Sequence, residues 1–319
     1  MNESIQVARS PKSYRSALLA AACSLGVVAC FLASNALAKD TARTASPATQ
    51  KGSCLVPAAI PDPSSAVRRN DAPLSSPELC LTLDEFDEGP LHWRLLIVEN
   101  RAAPHRVLWI APHDNESDAF DTAVYGVRTY GGTVVAVKTG GKRMNGLQDP
   151  NRNFDIGGGE QCPRQVARSP EYTRRVTRWW DGSAPILALH TNEPGYEGDG
   201  KGGRGTISIA RRTPGLVPFR AKTPIGVSPD DTIVFVVSQL QPQEDRSLMN
   251  FVAALNSKHI NVAYEVVTPT RNDCSLGNYA ALTGVPHYVN LEVVKTDGKT
   301  QRQMVNVVLG ELGIRRLAF

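Results

Sequence analysis

Apolar and polar residues alternate in blocks along most of the chain. The runs Val107–Ala111, Thr133–Val137 and Ile186–Leu189 are short and carry no charge, which is the pattern of strands covered on both faces. Trp93–Val98, Ile233–Val237, Ile260–Val266 and Tyr288–Val293 are mostly apolar runs of similar length and read as further strands. Segments of helical spacing lie between them. Ser117–Tyr130 places Phe120, Val124 and Val127 on one face, opens on an acidic turn and stops at Gly131-Gly132. Tyr172–Trp180 and about Asp245–Ser257 read as two more helices. Strands that alternate with helices predict an α/β fold, a mixed and mostly parallel sheet with helices on both faces, over residues 76–319. No internal repeat is visible.

The chain begins differently. Arg9, Lys12 and Arg15 precede an apolar run from Ala17 to about Leu32, followed by Ser34-Asn35-Ala36-Leu37-Ala38. A positive start, an apolar middle and a small-x-small end make residues 1–38 a secretory signal cleaved after Ala38. The same run is nearly long enough to remain as a membrane anchor. Val27-Val28-Ala29-Cys30 also has the form of a lipoprotein signal, although the apolar Phe31-Leu32-Ala33 after the cysteine speaks against it. All three readings put the body of the protein outside the cytoplasm, periplasmic or extracellular. Residues 39–75, rich in Ala, Thr, Ser and Pro, are expected to be a flexible linker.

Composition narrows the function. With 319 residues, 41% apolar and 21% charged, the chain can bury a sizeable core and is too apolar for disorder. The net charge is +4, half of it from residues 1–38, so there is no concentrated basic face to bind nucleic acid. Beyond the signal stand Cys54, Cys80, Cys162 and Cys274, an even number that implies disulfides in an oxidising compartment. Three pairings are open; Cys54–Cys80 with Cys162–Cys274 is the expected one. None lies in a Cys-x-x-Cys pair, which argues against a thiolate zinc site.

Three features that could carry chemistry each lie at or just after a predicted strand, where open α/β sheets place their ligands. His113-Asp114-Asn115-Glu116 follows the Val107–Ala111 strand, and a His and a carboxylate three apart on a turn into a helix can converge on one cation. Asp149-Pro150-Asn151-Arg152-Asn153-Phe154 sets a guanidinium, a bidentate fork for a carboxylate, beside amide side chains. His190 ends the Ile186–Leu189 strand. Two histidines and a glutamate form a three-ligand site with an open position for water. Each piece alone is weak; the ordered set is much less a matter of chance.

On these motifs the sequence resembles the zinc carboxypeptidase superfamily, and within it the succinylglutamate desuccinylase/aspartoacylase branch, over roughly residues 105–295. The resemblance implies Zn²⁺ held by His113, Glu116 and His190, and a substrate carboxylate gripped by Asn151 and Arg152. It implies that Arg143 polarises the scissile carbonyl, and that Glu292, in Val289-Asn290-Leu291-Glu292, is the general base. Pro112 before the first histidine and Asp114 after it depart from the glycines usual there. The implied function is an exported zinc hydrolase that cuts an amide or peptide bond next to a free carboxylate. Its substrate would be a small molecule or peptide; location alone suggests a peptidoglycan peptide. The alternatives are an N-acyl amino acid deacylase and a non-catalytic peptide- or wall-binding protein on the same fold.

Other signals are expected to be bland. Gly198-x-Gly200-x-x-Gly203 matches a dinucleotide pattern, but the strand-like Thr206–Ile209 follows it where a helix is needed. The glycine-rich stretch from Gly198 to Gly205 reads as a mobile loop that shapes or covers the cleft. Asp84, Glu85, Asp87 and Glu88 read as a solvated turn, Asn278 and Tyr279 as residues facing the cleft, and Tyr288 as packing. His92, His105, His259 and His287 read as surface or core residues.

Overall fold

The computed structural model describes residues 53–60, 65–157 and 161–318. The export segment 1–38 and the first part of the expected linker lie outside the described residues. A nine-stranded sheet is built from β1 (Leu79–Glu88), β2 (Leu91–Asn100), β3 (Leu108–Ala111), β4 (Thr133–Val137), β5 (Ile186–Asn192), β6 (Leu216–Phe219), β7 (Ile233–Ser238), β8 (Asn261–Val266) and β9 (Tyr288–Val294), in the order β1-β2-β4-β3-β5-β9-β7-β8-β6. The centre, β4-β3-β5-β9, is parallel. β7 joins β9 antiparallel, β8 joins β7 parallel, and both edges are antiparallel. The sheet is therefore mixed, with its parallel portion in the middle.

Helices cover both faces. On one side α1 (Ser65–Arg69), α3 (Ser117–Tyr130), α5 (Arg246–Ser257) and α7 (Gly298–Glu311) pack on Leu96, Trp109, Leu189 and Leu291. On the other, α4 (Pro170–Thr177) and α6 (Leu276–Thr283) pack on Leu95, Ile110, Ala188 and Tyr288. Successive residues of each central strand serve opposite layers, which is why those strands contain almost no polar position. The α3–β4 turn needs its glycine: Gly132 has φ +98°, and a Cβ there would lie 2.0 Å from the Val107 carbonyl oxygen.

Two expectations need correction. Within the segment 39–75 read as linker, residues 57–59 form a 3₁₀ turn, followed by α1 and α2 (Asp71–Leu74). Ile60, Ala66, Val67 and Leu74 are buried in the α3-side core. Leu55 bonds to Leu81, and Cys54 is bridged to Cys80. Average composition hid a sparse apolar set that needs only one shallow face to dock. The acidic cluster is not a turn either but the end of β1. Asp84 pairs with Arg175 and Arg178, Glu85 with Arg94, and Glu88 accepts from the Glu171 and Tyr172 amides at the start of α4. The partners of Asp84 and Glu88 stand more than eighty residues away in sequence, so local polarity misled. Among the described residues no helix is long and apolar enough to cross a membrane.

Candidate metal centre and its cleft

β3 ends at Ala111, and the chain turns through His113 and Glu116 into α3. Ile110 pairs with Ala188 on β5, which carries His190 level with that turn. His113 Nδ1 lies 2.8 Å from Glu116 Oε1 and 3.2 Å from His190 Nδ1, and His190 Nδ1 lies 3.3 Å from Glu116 Oε2. The three residues are at most 3% exposed, and one ligating atom from each falls within 4.8 Å of the others. Two ring nitrogens that face each other beside a carboxylate form a donor set that a divalent cation satisfies. The residues present therefore fit a metal ion.

Supporting contacts lock these ligands. Asp149 Oδ1 lies 2.8 Å from His113 Nε2 and turns the opposite nitrogen towards the cluster. The Thr191 amide donates to Glu116 Oε2 at 2.9 Å, and Gln301 of α7 donates to the His190 carbonyl at 2.8 Å. Asp149 belongs to the predicted Asp-x-Asn-Arg segment but had been given no role. A buried histidine ligand needs an acceptor for its second nitrogen, and that requirement was the available signal.

The Asn151–Arg152 turn is seated by Phe154, fully buried with its ring 5.4 Å from Tyr172, whose hydroxyl donates to the Pro150 carbonyl at 3.1 Å. Asn151 Oδ1 accepts from the Leu276 amide at 3.2 Å, and its Nδ2 lies 3.4 Å from His190 Nε2. Arg152 pairs with Asp273 at 3.0 Å. The Phe154 amide donates to the Cys274 carbonyl, and Cys274 is bridged to Cys162, so this wall of the cleft is stapled. Both disulfides join the expected partners.

Arg143 lies on the loop after β4, half exposed, 2.8 Å from Glu116 Oε1 and 3.4 Å from Asp149 Oδ2. Asp114 holds that loop by accepting from Lys138 Nζ and from the Thr139 and Gly141 amides. Glu292 pairs in register with His190 on the neighbouring strand β9 and is 7% exposed. A cleft of about 810 Å³ is lined by Glu116, Arg143, Asn151, Arg152, His190 and Glu292, with His113 buried behind it. All seven residues nominated from sequence thus come together.

Their electrostatics divide. Burial opposes charge on His113, but Glu116 and Asp149 outweigh it and hold its pKa up to about 9. Burial would raise the two carboxyls, yet His113 keeps both well below the usual range, with help from His190 on Glu116 and from Arg143 on Asp149. Burial pushes Glu292 upward against the pull of His190, and the Glu116 charge adds to the rise. A carboxyl raised in this way holds a proton more readily than an ordinary one, which suits a group that takes and returns a proton.

Elsewhere the cleft differs from expectation. Asn278 is buried, with Nδ2 donating to the Arg271 carbonyl, and Tyr279 packs 5.9 Å from Phe154; Ser275 and Gly277 of that segment line the cleft instead. The side chain two positions away on a helix faces another way. Tyr288 is buried but keeps an edge on the cleft. Glu197–Asp199 is a single 3₁₀ turn, and Thr206–Ile209 is no strand; Asn192 holds that return through the Thr206 amide and the Ile207 carbonyl. Arg204 of the glycine-rich loop lines the cleft, as do Tyr196 and Glu197 just before it.

No family model and no curated protein matches the chain. Solved structures do. They are metallo-carboxypeptidases, metallopeptidases and an aspartoacylase family protein. A metallo-carboxypeptidase from Pseudomonas aeruginosa in complex with (2-guanidinoethylmercapto)succinic acid aligns at TM-score 0.42 and 14% identity, covering 77% of this chain and 67% of that one. An aspartoacylase family protein from Mesorhizobium loti aligns at 0.40 and 12%, covering 77% and 70%. The cell shape determinant protein Csd4 from Helicobacter pylori aligns at 0.40 and 14%, covering 75% of this chain and only 56% of its own length. These alignments are loose, and the functional reading rests on the geometry of the site.

Proposed function

We propose that the protein is a zinc-dependent hydrolase that cleaves an amide or peptide bond beside a free carboxylate. The observation that carries this reading is the convergence of His113, Glu116 and His190 within 4.8 Å on the wall of a cleft that also holds Glu292. A bound divalent ion would acidify a water and polarise the scissile carbonyl. Glu292 accepts the proton of the attacking water and returns it to the departing amine. Arg143 offers a guanidinium beside Glu116, where the carbonyl oxygen gains negative charge; one such donor contributes on the order of 10²–10³ in rate. Arg152, turned into the same cleft, fixes the substrate carboxylate, while Asn151 shapes the turn and offers its amide nitrogen. If residues 1–38 direct export, peptides of the cell wall come within reach.

The test is metal content and turnover in one preparation. Zinc-loaded protein is expected to hold about one ion per chain and to hydrolyse acylated dipeptides. His113→Ala and His190→Ala are each expected to lose both properties. A wild-type protein that takes up no zinc under reconstitution sinks the proposal.

A further inference from the structure

The cleft floor continues away from the metal centre along one face of β9, β7, β8 and β6. Strand register puts Glu292 and Asn290 on this face; Asn290 pairs with Phe235, and Val237 with Glu265, which in turn pairs with Leu216. All of these side chains line the cleft. Glu265 is thus carried to the far end, two strand spacings (roughly 10 Å) across the sheet from β9. It is half buried among Leu216, Val237 and Tyr288.

The acceptor there lacks a donor. No hydrogen bond or ion pair joins the Glu265 carboxylate to any described residue. A carboxylate half withdrawn from water and left without a partner is costly. The nearby arginines have other engagements: Arg152 with Asp273 at 3.0 Å, Arg211 with Thr213 at 3.0 Å and Arg271 with Thr268 at 3.3 Å. Burial and the Asp273 charge push the Glu265 carboxyl upward, against the pull of these three arginines.

We infer that this end of the cleft is a recognition pocket for a long side chain ending in a cation, such as a primary ammonium, with Glu265 as its counter-ion. Apolar walls from Leu216, Val237 and Tyr288 suit the methylene stem, as they would any lysine-like chain. Arg152, close enough to Glu265 to bias its ionisation, would hold the carboxylate of the same residue. The ligand is therefore an amino acid end that carries both charges. The pocket rests on the proposed function only in naming that ligand a substrate.

Calorimetry on the full chain, zinc-loaded and carrying Glu292→Gln so that nothing is consumed, tests the pocket. The probes are acetylated dipeptides, in both configurations, that end in lysine or in its uncharged counterpart norleucine. The lysine peptide is expected to bind about tenfold tighter or more, as for a charge-assisted hydrogen bond. Glu265→Gln should erase that difference, and Glu265→Lys should shift the preference to a peptide that ends in glutamate. Equal affinity for the two peptides, or a lysine preference that survives Glu265→Gln, overturns the inference, as does binding of neither. Peptides that the wild type cleaves without such a preference defeat the pocket and leave the hydrolase standing. A Glu265-dependent preference in a protein without turnover defeats the hydrolase and leaves the pocket.

Discussion

The two ends of the cleft are made of the same residue types and treat them in opposite ways. Around His113, Glu116 and His190 the ligating side chains are all engaged: Asp149, the Thr191 amide and Arg143 reach them directly, and Gln301 holds the His190 carbonyl. At the far end the Glu265 carboxylate lines the cleft without a hydrogen-bond or ion-pair partner among the described residues. Groups that hold a resident ion must be oriented before it arrives, whereas groups that meet an exchanging substrate must be left hungry for it. The comparison teaches that polar satisfaction, not polarity itself, separates a scaffold from a reading surface.

The sharpest way to test the contrast is to separate chemistry from assembly. Glu292→Gln is expected to lower kcat by about 10²–10⁴ while zinc content stays at the wild-type level. Zinc content is read by atomic emission, and loss of the ion would move Glu292 into the scaffold. A second change loosens the wall between the two ends. Opening the Cys162–Cys274 bridge with Cys162→Ser should cost about 2–4 kcal/mol of stability by denaturant melt. It should raise KM more than it lowers kcat, because Arg152 is tethered through Phe154 to Cys274.

Smaller effects refine the metal end. Asp149→Asn should weaken zinc binding by about 10–100-fold in competition with a chelator, since His113 loses the acceptor that aims it. The ion-free protein holds His113 protonated up to about pH 9, and a metal must displace that proton. Zinc uptake at pH 7 is therefore expected to release about one proton per ion in weakly buffered solution, and affinity should climb with pH until about 9. In the ion-free state the raised pKa stabilises the fold fully below about 6.5, and that contribution fades as pH rises through about 9. The pH dependence of melting reads it directly.

Sequence reading succeeded where the information is local. A His-x-x-Glu turn into a helix and a histidine closing an apolar strand are short patterns, and strand-end placement is where ligands gather. It failed where meaning arrives from across the molecule. Glu265 in the run Asn261–Val266 looks like the solvent side of a strand, and only the register of β6, β7 and β8 turns it into a cleft. β1 hid behind its acids for the same reason, their arginine partners lying elsewhere in the chain. The polar start of α7 masked a helix whose Gln301 reaches both the His190 and Leu291 carbonyls.

β9 is the last strand to be made, yet it lies in the middle of the sheet, between β5 and β7. Without Tyr288–Val294 the strand order leaves two half-sheets, β1-β2-β4-β3-β5 and β7-β8-β6, with the edges of β5 and β7 open. Open edges invite pairing with other chains. The strand that closes them is the one that carries Glu292, so the pairing that removes both open edges also sets the proposed catalytic carboxylate in place.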